Sequence, residues 1–389
     1  MNIVFISHPL FLGSQSMPRY AQWLTEGMQA RGHNVTVWRP EPKMFKLPAP
    51  AKLKKWLGYV DQYTLFPRWV KKQLKKQPSD TIYVLTDHAL GPWVPLFPKN
   101  KTIVHCHDFL AQYSAMGLIP ENPTGKSGVA YQKYIRDGFK QSINFISISE
   151  KTRDDLHDIL GQKEVNISEV VYNGLTRDYR PMPVDECRQS FSEFTGKDLS
   201  KGYILHVGGN QWYKNRKGVV QMYDAWRSLY PDATLPLVLI GKVPNKSLYD
   251  AYNGAKYKDD IILVTNAPDE IVMKAYAGTS AFLFPSLAEG FGWPIVEAMA
   301  SGAPVITTNK APMTEVAGDA GFLVERYPFE KAGLEKWSEE SAQVLQQLMQ
   351  LGDASREEVV KKGLENATRF NSNLALSKVE KIYQKLAAQ

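Results

Sequence analysis

The chain has 389 residues, 43% hydrophobic and 22% charged, which excludes a disordered protein and is more than one ordinary core needs, so two domains are expected. No stretch holds the roughly 20 uncharged apolar residues of a membrane span, Met1-Asn2-Ile3-Val4-Phe5-Ile6 reads as a first strand rather than a signal peptide, and Cys106 and Cys187 provide neither a disulfide framework nor a cysteine zinc site and fit a reducing cytoplasm. The net charge of +7 is uneven: between Lys43 and Lys76 stand ten Lys or Arg against one acid, Asp61, which turns one face towards an anionic partner.

Along the chain, short apolar runs alternate with helical patterns, as in βαβ units on parallel sheets. Strands are predicted at 3–6, 35–38, 82–85, 102–105, 145–148 and 170–172. Between the first two, Tyr20, Leu24 and Met28 recur four apart on an amphipathic helix that ends near Arg31-Gly32. Leu53, Trp56, Leu57 and Val60 have helical spacing beside Lys52, Lys54 and Lys55, and Arg68-Trp69-Val70-Lys71-Lys72 repeats the chemistry. Such a basic amphipathic helix suits an anionic membrane surface or a lipid-diphosphate acceptor. An ordinary helix, apolar face on the sheet and lysines in water, fits the same pattern, and the sequence leaves both open.

Residues 173–201 are polar, contain Arg180-Pro181-Met182-Pro183 and suit a linker. The pattern then restarts, with a strand at 203–207 running into Gly208-Gly209 and further strands at 237–240, 261–264, 281–284, 304–307 and 322–324. Leu376, Val379, Ile382, Tyr383 and Leu386 predict a closing helix. The expectation is an α/β protein of two Rossmann-like domains with parallel sheets, facing each other across a cleft. They cover 1–185 and 200–371, with the helix 372–389 packing back on the first.

The most informative stretch runs from Phe284-Pro285-Ser286-Leu287-Ala288-Glu289-Gly290-Phe291-Gly292 through Trp293-Pro294-Ile295-Val296-Glu297-Ala298-Met299-Ala300 to Ser301-Gly302. A buried strand ends at Pro285, a glycine-rich turn follows, and a helix is predicted to start at Pro294, whose missing N–H costs nothing there. Such a turn gathers backbone N–H groups in front of a helix dipole, which suits a phosphate. Gly290 and Gly292 allow close approach of a ligand. Glu289 in the loop and Glu297 in the helix flank the turn, and carboxylates accept from paired hydroxyls, so a sugar and a ribose fit. Taken alone, Glu297 is equally an acid complementing a helix N-terminus.

Glu289 and Glu297, with seven residues between them, within Pro-Ser…Glu-Gly-Phe-Gly-x-Pro-x-x-Glu-Ala-Met-Ala-x-Gly, strongly resemble the retaining glycosyltransferases of family 4, which have the GT-B fold. The resemblance covers nearly the whole chain. Gly13-Ser14 and Arg31-Gly32-His33-x-Val35 match its N-terminal loop and next strand, and His107-Asp108 its "H-D" loop. Ser147-x-Ser149-x-x-Thr152-x-x-Asp155-Leu156, Val171-Tyr172-Asn173-Gly174, and Val207-Gly208-Gly209-Asn210 with Lys214-Asn215 are further landmarks.

The resemblance implies a donor-binding C-terminal domain. Glu297 holds the ribose hydroxyls, and Glu289 those of the transferred sugar. Gly290, Phe291, Gly292, Trp293, Ile295 and Val296 line the donor, Lys242 and Val243 lie near the base, and Gly13 and Ser14 reach the donor from the first domain. Lys214 offsets the charge that grows on the leaving diphosphate; without the motif it is an exposed lysine in a run with Arg216 and Lys217. Where many members have an arginine about five residues before this lysine, Gly209 and Asn210 stand. Either Asn210 and backbone amides take its place, or Arg216 or Lys217 reaches in. His107 with Asp108 faces the reacting carbon and positions rather than acting as an established base, while His105 is expected in the core.

No Asp-x-Asp stands at a strand end, and neither a metal nor a cofactor is expected, the nucleotide sugar being a co-substrate of UDP-glucose or GDP-mannose type with UDP slightly favoured. The acceptor is a glycan or lipid-diphosphate in polysaccharide synthesis, on the inner face of the membrane. The competing readings are a sugar phosphorylase or nucleotide-sugar epimerase, a scaffold that has lost activity, and a nucleic-acid binder; the last leaves the paired acids unexplained, so no nucleic-acid partner is expected.

Overall fold

The computed structural model describes residues 1–13 and 16–389, the side chains of Ser16, Ala51, Lys52 and Lys331 excepted. It divides into two units, Met1–Gly174 with Ser372–Gln389, and Leu175–Asn371.

In the first unit, β1 (Asn2–Ile6), β2 (Asn34–Trp38), β3 (Ile82–Leu85), β4 (Thr102–Cys106), β5 (Asn144–Ser147) and β6 (Ile167–Val170) form one parallel sheet in the order β2-β1-β3-β4-β5-β6. Every residue of β3, β4 and β5 is buried, because helices cover both faces of a parallel sheet. The order reverses direction between β1 and β3, so the carboxyl ends of these two strands frame the natural crevice of the sheet. β6 lies about three residues before its predicted place, an edge strand whose mixed burial carries little apolar signal.

In the second unit, β7 (Ile204–Gly208), β8 (Leu237–Gly241), β9 (Ile261–Thr265), β10 (Ala281–Phe284), β11 (Val305–Thr308) and β12 (Gly321–Val324) form a second parallel sheet, ordered β12-β11-β10-β7-β8-β9. β7 and β10 are neighbours at its centre, so the turns leaving them, Gly208–Asn215 and Pro285–Gly292, lie side by side. The α/β expectation of two parallel-sheet units is met.

The stretch expected as a linker contains a helix, Val184–Thr195, with Cys187 and Phe191 buried and Arg188 Nε donating to the Gly278 carbonyl at 2.9 Å. Two buried residues one turn apart are too sparse a stripe to read from sequence. The last helix, Ser372–Ala387, belongs to the first unit: Tyr383 donates or accepts at 2.8 Å from His105 Nε2, His33 Nε2 meets Glu380 at 2.7 Å, and Lys101 Nζ donates to the Ala387 carbonyl at 2.8 Å.

The basic segment is one long rod. Helix Ala51–Val60 passes through a π turn, Asp61–Leu65, into helix Phe66–Leu74. The π turn frees the Gln62 carbonyl, which accepts from Trp93 Nε1 at 3.0 Å. Asp61, the only acid of the segment, is buried and accepts from the N–H groups of Met44 and Phe45, both at 2.8 Å, so it offsets none of the charge at the surface. Among the described residues no helix is long and apolar enough to cross a membrane.

Candidate active site

The loop after β10 is held open from below. Thr307 Oγ1 donates to the Phe284 carbonyl (2.9 Å), Thr308 Oγ1 to that of Ser286 (2.7 Å), Asn215 Nδ2 to that of Pro285 (2.9 Å) and Arg326 Nε to that of Leu287 (3.1 Å). The Leu287 N–H in turn donates to the Tyr213 carbonyl at 2.7 Å, joining the two loops. With its carbonyls turned inwards and satisfied, the loop runs to Gly292, whose φ of 105° and ψ of 49° are open to glycine and strained for other residues. The helix begins one residue earlier than expected, Trp293–Ala300, with Pro294 second.

Lys214 closes a single 3-10 turn, Trp212–Lys214, after the glycines that end β7. Its Nζ lies 2.8 and 3.0 Å from the two carboxylate oxygens of Glu289 and 4.9 Å from the centre of the Phe284 ring. The two side chains are 15% and 7% exposed, so the pair is shielded but reachable.

Asn210 is held at both ends of its amide: Oδ1 accepts from Arg216 Nη1 at 2.6 Å, and Nδ2 donates to the Val243 carbonyl at 2.6 Å. Arg216 Nη1 also donates to the Lys242 carbonyl at 3.0 Å, and burial lowers the Arg216 pKa to about 10. Lys217 points elsewhere, its Nζ 5.0 Å from the Tyr327 ring centre. Thus Asn210 and Arg216 tie the β7 turn to the β8 turn, and neither Arg216 nor Lys217 reaches into the loop, contrary to the second alternative. A Cβ at Gly209 would stand 2.3 Å from Gln211 Oε1, so a side chain there requires Gln211 to swing aside.

Glu297 stands on the fifth residue of its helix, one residue further in than expected. Tyr276, from helix Asp269–Gly278, donates to its Oε2 at 3.1 Å, and Tyr179 hydrogen-bonds the same carboxylate. Burial, followed by the charge of Glu297, raises the pKa of both phenols, so they remain donors at any ordinary pH. Beneath the same strand ends, His206 donates from Nδ1 to the Leu283 carbonyl at 2.8 Å, while its buried Nε2 has no protein partner. Burial first, then the charges of Arg216 and Lys214, lower its pKa to about 3.

In the first unit His107 is buried, its Nε2 donating to the Thr86 carbonyl at 2.8 Å, with the Tyr20 ring edge-on at 4.4 Å. That bond fixes the tautomer and leaves Nδ1 as the acceptor. Burial lowers its pKa despite the pull of Asp87, which makes it a weak base suited to orienting a ligand. Asp108 Oδ1 accepts from the Leu110 N–H at 3.0 Å, a turn-capping role. His105 lies in the core between Tyr20 (2.7 Å) and Tyr383 (2.8 Å). Gly13 adopts a left-handed φ of 73°, and Ser14 falls outside the described residues.

Beside His107 lies a second cluster that no sequence motif announces. Asp87, just after β3, is hydrogen-bonded to His8 Nε2 (2.9 Å), just after β1, while His88 Nδ1 lies 3.0 Å from its other carboxylate oxygen without hydrogen-bond alignment. Burial opposes ionisation of Asp87, but the charge of His88 and the bond from His8 outweigh it and hold the carboxyl well below its usual range. The cluster sits where the strand order reverses.

On the basic rod, Trp56 is 65% and Leu53 50% exposed, so this apolar face is not packed on the sheet as the ordinary reading required. Lys54 Nζ donates to the Phe45 carbonyl at 2.9 Å, Lys55 lies 5.7 Å from the Tyr59 ring centre, and Arg68, Lys71 and Lys72 are exposed. Trp69 instead packs edge-on against Trp38 at 5.3 Å. The side chain of Lys52 is outside the description.

Comparison with known proteins adds the following. Residues 17–179 match the model "Glycosyltransferase Family 4", and residues 201–350 match "Glycosyl transferases group 1". The chain is 31% identical to O-antigen chain mannosyltransferase B of Escherichia coli over 199 residues, 50% of this chain and 48% of that one. It is 24% identical to O-antigen chain mannosyltransferase RfbU of Salmonella typhimurium over 275 residues, 70% of this chain and 68% of that one. The first match thus spans about half the length of its relative. Sucrose-phosphate synthase from Thermosynechococcus elongatus superposes with a TM-score of 0.74 at 15% identity, over 100% of this chain and 99% of that one, and so has the same GT-B fold.

Proposed function

The chain belongs to the glycosyltransferases of family 4, and on that premise we propose that it moves a hexose from a nucleoside-diphosphate sugar to a glycan or lipid-linked acceptor in polysaccharide synthesis. The observation that carries this reading is the shielded Lys214–Glu289 pair beside a glycine turn at a helix start. On donor binding, Lys214 turns from the Glu289 carboxylate to the diphosphate, and sugar hydroxyls donate to Glu289 in its place. Glu297 takes the ribose hydroxyls. As the anomeric carbon–oxygen bond to the diphosphate breaks, the charge on the leaving oxygens meets Lys214 and the loop N–H groups. The acceptor hydroxyl bonds to the anomeric carbon on the same face and passes its proton to the leaving phosphate, which gives retention without a metal ion or a protein base. The lowered basicity of His107 accords with a positioning role.

The mannosyltransferases among the relatives favour a GDP-mannose donor over the UDP-glucose type expected from the sequence. For the acceptor, the exposed Trp56 and Leu53 between lysines favour a lipid-diphosphate presented at an anionic membrane.

The test is the thermal shift of the protein with UDP-, GDP-, ADP- and TDP-sugars, with Glu297→Ala alongside. One nucleotide should raise the wild-type midpoint and leave the variant unmoved, and that sugar should then be released or transferred in a rate assay. Stabilisation of neither protein by any sugar nucleotide, with no turnover on lipid-linked acceptors, overturns the reading.

A further inference from the structure

We propose that Tyr179 and Tyr276 are positioning residues for the ribose of the donor, holding Glu297 in the orientation that reads the 2′- and 3′-hydroxyls. The proposal rests on the assignment of Glu297 to the ribose.

The two tyrosines come from different places. Tyr276 is fully buried on helix Asp269–Gly278, and Tyr179 is nearly so in the extended stretch before Pro181. Their rings meet edge to face, 5.9 Å apart at 80°, and both hydroxyls converge on one carboxylate. The stretch bearing Tyr179 is pinned to the helix bearing Tyr276, because Arg177 forms an ion pair with Asp269 at the start of that helix. The clasp is therefore braced.

A free glutamate side chain samples many rotamers, and freezing it opposes binding. A carboxylate has about four lone-pair directions. Two phenolic donors fill part of that set and fix the plane of the group before a ligand arrives. Lysine or arginine in the same place would neutralise the charge, as Lys214 does for Glu289. A phenol orients Glu297 and leaves it an anion, which suits a group that must accept from two neutral hydroxyls.

The experiment compares binding of GDP and 2′-deoxy-GDP, and of UDP and 2′-deoxy-UDP, to the wild type, Tyr276→Phe, Tyr179→Phe and Glu297→Ala, together with donor KM and kcat. Phenylalanine keeps the packing, and Tyr179→Phe serves if the more deeply buried Tyr276→Phe unfolds. The wild type should prefer the ribonucleotide, and Glu297→Ala should lose that preference. Each phenylalanine variant should lose most of it, with donor KM raised about tenfold and kcat within about twofold, as expected for a charge-assisted bond acting in binding. In the Glu297→Ala background neither tyrosine substitution should change affinity further. Phenylalanine variants that keep the full ribose preference overturn the proposal while the donor site stands. A wild type that does not distinguish the sugars, or whose preference survives Glu297→Ala, overturns the ribose assignment and the proposal with it.

Discussion

Lys214 and Glu289 neutralise one another before any ligand arrives, the ammonium lying 2.8 and 3.0 Å from the two carboxylate oxygens. In the proposed reaction each partners a different part of the sugar nucleotide, so the pair holds both groups shielded and in register until the donor separates them.

Removing the ammonium leaves the Glu289 carboxylate shielded without it. Lys214→Met is expected to cost about 1–3 kcal/mol of stability, measured by urea unfolding, and to lower the transfer rate about 10²–10³-fold. Adding Glu289→Gln should recover most of the stability and none of the rate. A double variant that transfers at the wild-type rate would remove both residues from the chemistry.

Gly292 shapes the phosphate loop through a φ of 105°. Gly292→Ala should cost about 1–2 kcal/mol in backbone strain, with Ile295 Cδ1, 3.2 Å from the new Cβ, forced to shift. Gly302, at the far end of the same helix with φ 83°, is the control. Calorimetry should show a loss in both alanine variants, and nucleotide titration should show weaker binding in Gly292→Ala alone.

His105 gives the first unit a definite response to acid. Burial, and then His107, lower its pKa to about 3, against about 6.5 when unfolded. Between these values the unfolded chain binds the extra proton. The stabilisation is therefore complete above about pH 6.5 and is lost as pH falls towards about 3, at up to about 1.4 kcal/mol per pH unit. His206, also lowered to about 3, acts in the same direction in the second unit. Denaturant midpoints at pH 5 should lie below those at pH 7. The difference should shrink in His105→Gln, whose amide can still serve both tyrosines; an unchanged slope would assign the acid sensitivity elsewhere.

The exposed Trp56 and its lysines should bind vesicles containing anionic lipid, and salt should weaken that binding. Lys55→Glu with Trp56→Ala should lower the partition coefficient about tenfold or more, with the thermal midpoint nearly unchanged because both side chains stand in water. Equal co-sedimentation of variant and wild type would leave the rod without a membrane role.

The strands were legible because those of a parallel sheet are continuous apolar runs. Ile82–Leu85 and Ala281–Phe284 appear at their predicted positions. Val184–Thr195 was not, since a helix burying only Cys187 and Phe191 looks polar throughout. Within the site, Lys214 and Glu289 were legible because each stands in a contiguous motif. Tyr276, 21 residues before Glu297, and His8, 79 before Asp87, join their partners only through the sheet topology, and no local spacing records that. The roles of Asn210 and Arg216 were hidden for a different reason: chain proximity gave the residues but not which atoms they satisfy.

The helix Ser372–Ala387 follows the second unit in the sequence but completes the first. During synthesis, residues 1–174 must wait with the surface around Phe5 and His105 uncovered while residues 175–371 emerge and can already close their own sheet. The first unit is therefore completed across the whole length of the second, and a chain cut before residue 372 loses the helix that covers Phe5 and His105 while keeping all six strands of the second sheet.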